Sequence, residues 1–128
     1  MKTYTNIKQS EELAKILPIE SADMRYHTIS PYNPYPCDEI VYTIDFGNPS
    51  GYDIPCWSLS ALLDVIPQEI FDGEYIINIT EGCDNKWILT YDHRENRHHS
   101  YYGLSYGADN LIDACYVLIL KLKELKLL

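Results

Sequence analysis

No stretch of the 128-residue sequence reaches the roughly 18 consecutive apolar residues of a membrane span, and its first residues carry no apolar leader. The sequence therefore predicts a cytoplasmic protein without membrane association. Cysteine is sparse: Cys37, Cys56, Cys83 and Cys115 form no CxxC pair, a usage that suits reduced, mostly structural thiols. Phosphate loops, G-x-S-x-G elbows, H-E-x-x-H helices and the dinucleotide glycine fingerprint are all missing, which removes several large enzyme classes. An enzyme whose site assembles from distant residues is not removed. No internal repeat or low-complexity segment is present.

Positive charge is nearly absent from the middle of the chain. Residues 20–84 hold twelve Asp and Glu against Arg25 alone, a segment of −11 between flanks of +1 each, within a net charge of −9. Affinity for phosphate backbones and anionic lipid rests on Lys and Arg, so direct nucleic-acid or membrane binding is not expected. Excess surface carboxylate also serves solubility alone. Phe and Trp occur twice each against twelve Tyr, and Tyr serves half-buried sheet positions and binding surfaces alike.

The chain as a whole reads as one domain, residues 1–128, long enough to bury a core without staples. Its organising stretch is 110–128, where Ala114 to Leu120 is apolar without a break. Such a helix belongs inside. Asn110 can cap it, Asp113 takes the capping-box position, and Lys121, Lys123 and Lys126 suit the negative end of the dipole. A first helix is expected from about Asn6 to Leu17, capped by Thr5 and stopped by Pro18.

From Ile19 to Glu39 the prolines Pro31, Pro34 and Pro36 predict a long loop and no strand. Ile40 to Phe46 alternates as a half-buried strand with Ile40, Tyr42, Ile44 and Phe46 inward. A short helix enters at Ser58, with Trp57 as a staple on Leu62 and Pro67 as the stop. Two further strands, Glu74–Thr80 and Lys86–Asp92, join through a hairpin loop at Glu81–Asn85. A fourth runs from His98 to Tyr106, with Gly103 as a bulge. The resulting expectation is an α+β domain in two layers, with one antiparallel sheet of about four strands and three helices, the C-terminal helix buried on one face.

Two regions carry residue types that suggest chemistry. His93, His98 and His99, with Cys83 across the expected hairpin, have the ligand chemistry of a zinc site. His98 and His99 are neighbours on a strand, however, and point to opposite faces, so they are weak candidates; no metal or other cofactor is expected. The same residues offer Cys/His pairs for a small hydrolase or metal-dependent enzyme, which is the alternative reading. The second region is the Tyr- and Pro-rich loop. Tyr26, Tyr32, Tyr35 and Tyr52, with Asp38 and Glu39, have the composition of a recognition surface, and His93, His99 and Tyr101 extend it. The same tyrosines would also serve as packing over the sheet.

Three pieces together resemble a known family. They are Gln9-Ser10-x-x-Leu13-Ala14-x-Ile16-Leu17-Pro18-x-Glu20-Ser21-Ala22-Asp23-Met24, then Ile54-Pro55-x-Trp57-Ser58-Leu59-Ser60-Ala61-Leu62-Leu63-x-Val65-Ile66-Pro67, then Asp113-Ala114-Cys115 leading to Lys123-Glu124-Leu125-Lys126-Leu127-Leu128. The pattern is similar to a family of small uncharacterised proteins of gut anaerobes, often carried on prophages and integrated mobile elements. Where members often place Asn-Pro at the entry of the last helix, this chain has Asn110-Leu111. The resemblance implies no particular activity. With the acidic middle, it leads to an expected non-enzymatic protein-interaction module with a protein partner, itself a monomer or homodimer.

Overall fold

A computed structural model describes residues 2–28, 42–51 and 53–128. In chain order the elements are α1 (Ile7–Ala14), β1 (Met24–Thr28), β2 (Tyr42–Phe46), β3 (Ile54–Cys56), α2 (Leu59–Val65), β4 (Glu69–Ile70), β5 (Tyr75–Glu81), β6 (Trp87–His93), β7 (Tyr106–Ala108) and α3 (Leu111–Glu124). Single 3-10 turns sit at Ile19–Ser21 and Tyr102–Leu104. The class is α+β, as expected, and α3 packs against the sheet that contains β6 and β7.

The strands form two antiparallel sheets, in the orders β2-β1-β3 and β4-β5-β6-β7. The separate sheet β2-β1-β3 departs from the expectation of one sheet because Met24–Thr28 is a strand and not loop. Met24 and Tyr26 alternate with Arg25 and His27, and this short run pairs with β2 on one side and β3 on the other. It thereby takes β2 out of any meander with β5 and β6. Pro55 is tolerated because β3 lies at the sheet edge, where a missing N–H costs no ladder bond. The strand expected over His98–Tyr106 is also shorter than the alternation suggests. Ser100 makes a single bridge to Asp92, the chain turns at Tyr102–Leu104 to bury Leu104 completely, and only β7 continues the sheet. Gly103 lies in that turn and makes no bulge.

The helix ends follow local chemistry. Asn6, not Thr5, caps α1: its Oδ1 accepts from Gln9 N–H while Gln9 Oε1 accepts from Asn6 N–H. Ser58 caps α2 and Asn110 caps α3, both as expected. The main core gathers Leu13 and Leu17 of the first segment, Trp57 and Leu62, Leu89 and Tyr91, and Ile112, Cys115, Leu118, Ile119 and Leu122 of α3. Cys56 and Cys115 are buried free thiols, and burial pushes the Cys115 thiol up to about 12.

The capping box of α1 and the Asn110 cap of α3 are joined. Lys2 Nζ donates to Asp113 Oδ1 at 2.7 Å and to Gln9 Oε1 at 2.9 Å, and Gln9 Nε2 donates to the same Asp113 oxygen at 2.7 Å. Asn110 Nδ2 donates to Asp113 Oδ2 at 2.7 Å. Partial burial works against the Asp113 carboxylate, but hydrogen bonds from Lys2, Gln9 and Asn110 and the Lys2 charge outweigh it and hold the pKa below the usual range. The unfolded chain therefore binds this proton more readily, so the stabilisation is complete above the ordinary Asp pKa of about 4 and is lost as pH falls through the folded value. Asp113→Asn is expected to lower stability at pH 7 by roughly 0.5–1 kcal/mol, a figure discounted for solvent screening. The difference from wild type should shrink as pH falls below the ordinary Asp value and through the lowered folded one, which paired urea titrations would show.

Candidate functional site

The polar residues just past α1 meet the entry of α2 in partly buried contacts. Trp57 Nε1 donates to Ser21 Oγ at 2.9 Å, Ser58 N donates to Asp23 Oδ1 at 2.9 Å, and the Ser58 hydroxyl donates to Asp23 Oδ2. Ser58 Oγ in turn accepts from Ala61 N–H at the start of α2. Deeper still, Thr5 Oγ1 bonds Ser10 Oγ at 2.7 Å, and Tyr26 donates its hydroxyl to the Thr5 carbonyl at 2.7 Å. Ser21 and Asp23, the polar residues just past α1, thus tie the first segment to the entry of α2. They serve the fold.

Tyr26 is correspondingly not a surface residue. It is 9% exposed, and burial, with the neighbouring Cys56, raises its hydroxyl pKa. The loop tyrosines Tyr32 and Tyr35, the acids Asp38 and Glu39, and Tyr52 lie outside the described residues.

The histidine cluster does not assemble as a metal or nucleophile site. β5 and β6 pair from Tyr75↔His93 at one end to Glu81↔Trp87 at the other, and Cys83 sits in the connecting loop. At about 3.3 Å per residue the hairpin separates Cys83 from His93 by roughly 20 Å. His93 Nδ1 accepts from the N–H groups of Glu95 and Asn96, both at 3.2 Å, and its Nε2 lies 3.6 Å from Glu74. His98 and His99 are exposed. Among the described residues no three His, Cys, Asp or Glu side chains are grouped as a metal site requires.

What the structure does bring together is aromatic. Tyr75 contacts His93 edge-to-face, with ring centroids 5.4 Å apart, and Tyr101 at 5.6 Å. Phe71 packs on Tyr101 at 5.3 Å and on Tyr75 at 6.1 Å, also edge-to-face. Two of the residues singled out from the sequence, His93 and Tyr101, therefore share one patch with two that were not, Phe71 and Tyr75. His99 supports it only through its carbonyl, which accepts from His93 N–H at 2.8 Å.

The turn that delivers Phe71 is strained. Phe71, Asp72 and Gly73 have φ of 54°, 56° and 84° in succession. Left-handed backbone is free for glycine but costs a side-chain-bearing residue on the order of 1–3 kcal/mol, least for Asp. Arg94 holds the turn shut: its Nε donates to the Gly73 carbonyl at 2.7 Å and its Nη2 to Glu69 Oε2 at 2.8 Å, while its own N–H reaches the Glu74 carbonyl. Phe71 remains 42% exposed, and Glu69, Asp72 and Glu74 of the same turn are exposed too. The Asp72-Gly73 dipeptide is the signal that marks this turn in the sequence.

Two further concavities are present. One, of about 150 Å³, is lined by Asn78, Asp92, His93 and Arg97 with Ile76 and Ile77. Its Asp92 is already occupied by Asn78 Nδ2 at 3.0 Å and the Ser100 hydroxyl at 2.7 Å. The other, of about 420 Å³, runs between β2 and the entry of α2 and is mostly apolar, with Tyr4, Met24, Ile44, Phe46 and Leu59 in its walls. Phe46, expected inward from the alternation, is 78% exposed at the end of β2, opposite Met24. No helix of the described residues is long and apolar enough to cross a membrane. Comparison with protein-family models, with curated proteins and with solved structures finds no match for the chain.

Proposed function

We propose that the chain is a non-enzymatic protein-interaction module of the cytoplasm, of the mobile-element or prophage origin that its motifs suggest. It docks a protein partner through the Phe71–Tyr75–Tyr101 patch. The observation that carries this reading is a large apolar ring kept exposed on left-handed backbone and clamped there by Arg94. Strain maintained at an exposed aromatic is the pattern of a site whose shape is set before binding. Aromatic residues with a polar rim are also what interface hot spots are made of. The hydrolase reading through His93 and Cys83 loses its geometry to the length of the hairpin.

The test is a complex rebuilt from purified components, its partner first identified by co-purification from the native source. Phe71→Ala and Tyr101→Ala should each weaken the dissociation constant at least tenfold, the minimum for a central interface aromatic, while the thermal midpoint of the free protein stays within a few degrees. A complex of unchanged affinity in both variants would reject this docking site.

A further inference from the structure

We infer that the patch receives a cationic side chain of the partner, a guanidinium above all. The inference rests on the docking reading and names the chemistry of that same site. Three exposed carboxylates, Glu69, Asp72 and Glu74, flank Phe71 along the turn, and among the described residues the guanidinium bonded to one of them is that of Arg94, on Glu69. Arg94 is spent on the turn, through Gly73 and Glu69. Among the described residues Asp72 has no cationic partner, and Glu74 has only the imidazole of His93 at 3.6 Å. The patch therefore presents an exposed aromatic ring, backed by Tyr75 and Tyr101, beside carboxylates in excess of cations, within a segment that carries −11 overall.

An aromatic face attracts a cation through its quadrupole, and adjacent carboxylates add to that attraction. The planar guanidinium gains most, because it stacks on a ring and donates to carboxylates at the same time, whereas the ammonium of lysine is a compact, strongly hydrated charge. Anionic groups are repelled by the same carboxylates. The partner should thus carry an exposed Arg, flanked by little acid, at the centre of its contact surface.

The experiment is an NMR titration of the intact protein with three capped tetrapeptides, of arginine, of lysine and of glutamate. Tetra-arginine should give saturable shifts confined to residues 69–75, His93 and Tyr101, with tetra-lysine several-fold weaker and tetra-glutamate silent. Phe71→Ala and Glu74→Gln should each weaken tetra-arginine binding about fivefold, whereas Glu81→Gln, at the far end of the hairpin, should leave it unchanged. Using Glu74→Gln guards against a local rearrangement of the turn in Phe71→Ala. Shifts spread evenly over all acidic surfaces, or binding as strong in both patch variants, would overturn the inference. If tetra-arginine does not bind while affinity for the natural partner still depends on Phe71, the cation is wrong and the docking site stands.

Discussion

Replacing Trp57 by alanine is expected to destabilise the protein by about 3–5 kcal/mol, the range for removing a large aromatic from a core that cannot fully close on the gap. Trp57 is completely buried between β3 and α2. Its backbone is fixed on both sides, since Trp57 N–H donates to Thr5 Oγ1 at 3.2 Å and its carbonyl accepts from Thr5 N–H at 3.0 Å. Its indole N–H is satisfied by Ser21, so truncation also leaves that hydroxyl without its donor partner. Against a typical total stability of 5–15 kcal/mol, the variant should be close to unfolding at 37 °C. Trp87 supplies the internal contrast. It is only half-buried, at the loop end of the β5–β6 hairpin, and Trp87→Ala should cost about half as much, in proportion to the area it hides. Urea unfolding followed by far-UV circular dichroism measures both. A loss below about 1.5 kcal/mol for Trp57→Ala would mean that the first segment and α2 are not locked together by this side chain.

The importance of Trp57 was half visible in the sequence. Its place before Ser58 marked it as a helix-entry staple, but its partner Ser21 was not, because nothing local says that a polar residue just past Pro18 will meet a residue 36 positions later. The same limit explains the larger misses. Met24–Thr28 does alternate, yet the prolines that follow pull the whole stretch toward loop, and a five-residue strand is identified only by the two neighbours it pairs with. β3 and β4, of three and two residues, are too short for any periodicity to show. By contrast β5, β6 and α3 announce themselves, since seven alternating residues or fourteen helical ones carry their own pattern.

The candidate site divides in the same way. His93 and Tyr101 stood out by residue type, but the patch is completed by Phe71, which arrives through three consecutive positive φ angles. Such a turn is stabilised from outside, by an Arg94 that lies 21 residues further on from Gly73. Long-range restraint of strained backbone leaves only the weak Asp72-Gly73 mark in the local sequence.

The second large effect concerns the helix that the chain is built around. Leu118→Ala should cost about 2–5 kcal/mol, while Val117→Ala, one residue away in the same unbroken apolar run, should cost nothing or add up to about 0.5 kcal/mol. Leu118 is fully buried among core residues from the sheet and the other helices, so its loss removes apolar contacts and opens a cavity. Val117 is 38% exposed. Alanine there gives up a modest contact area and gains helix propensity, because a β-branched side chain loses rotamer freedom against the preceding turn. The run Ala114 to Leu120 by itself makes the two positions look equivalent, and only the layers that α3 faces separate them. Equal losses at the two positions would require a partner surface over Val117, and the oligomeric state of the wild-type protein would then be the next measurement. A near-zero loss at Leu118 would mean that α3 can shift to refill the space, so that the helix is held by its Asn110–Asp113 cap and the Lys2 network more than by its buried face.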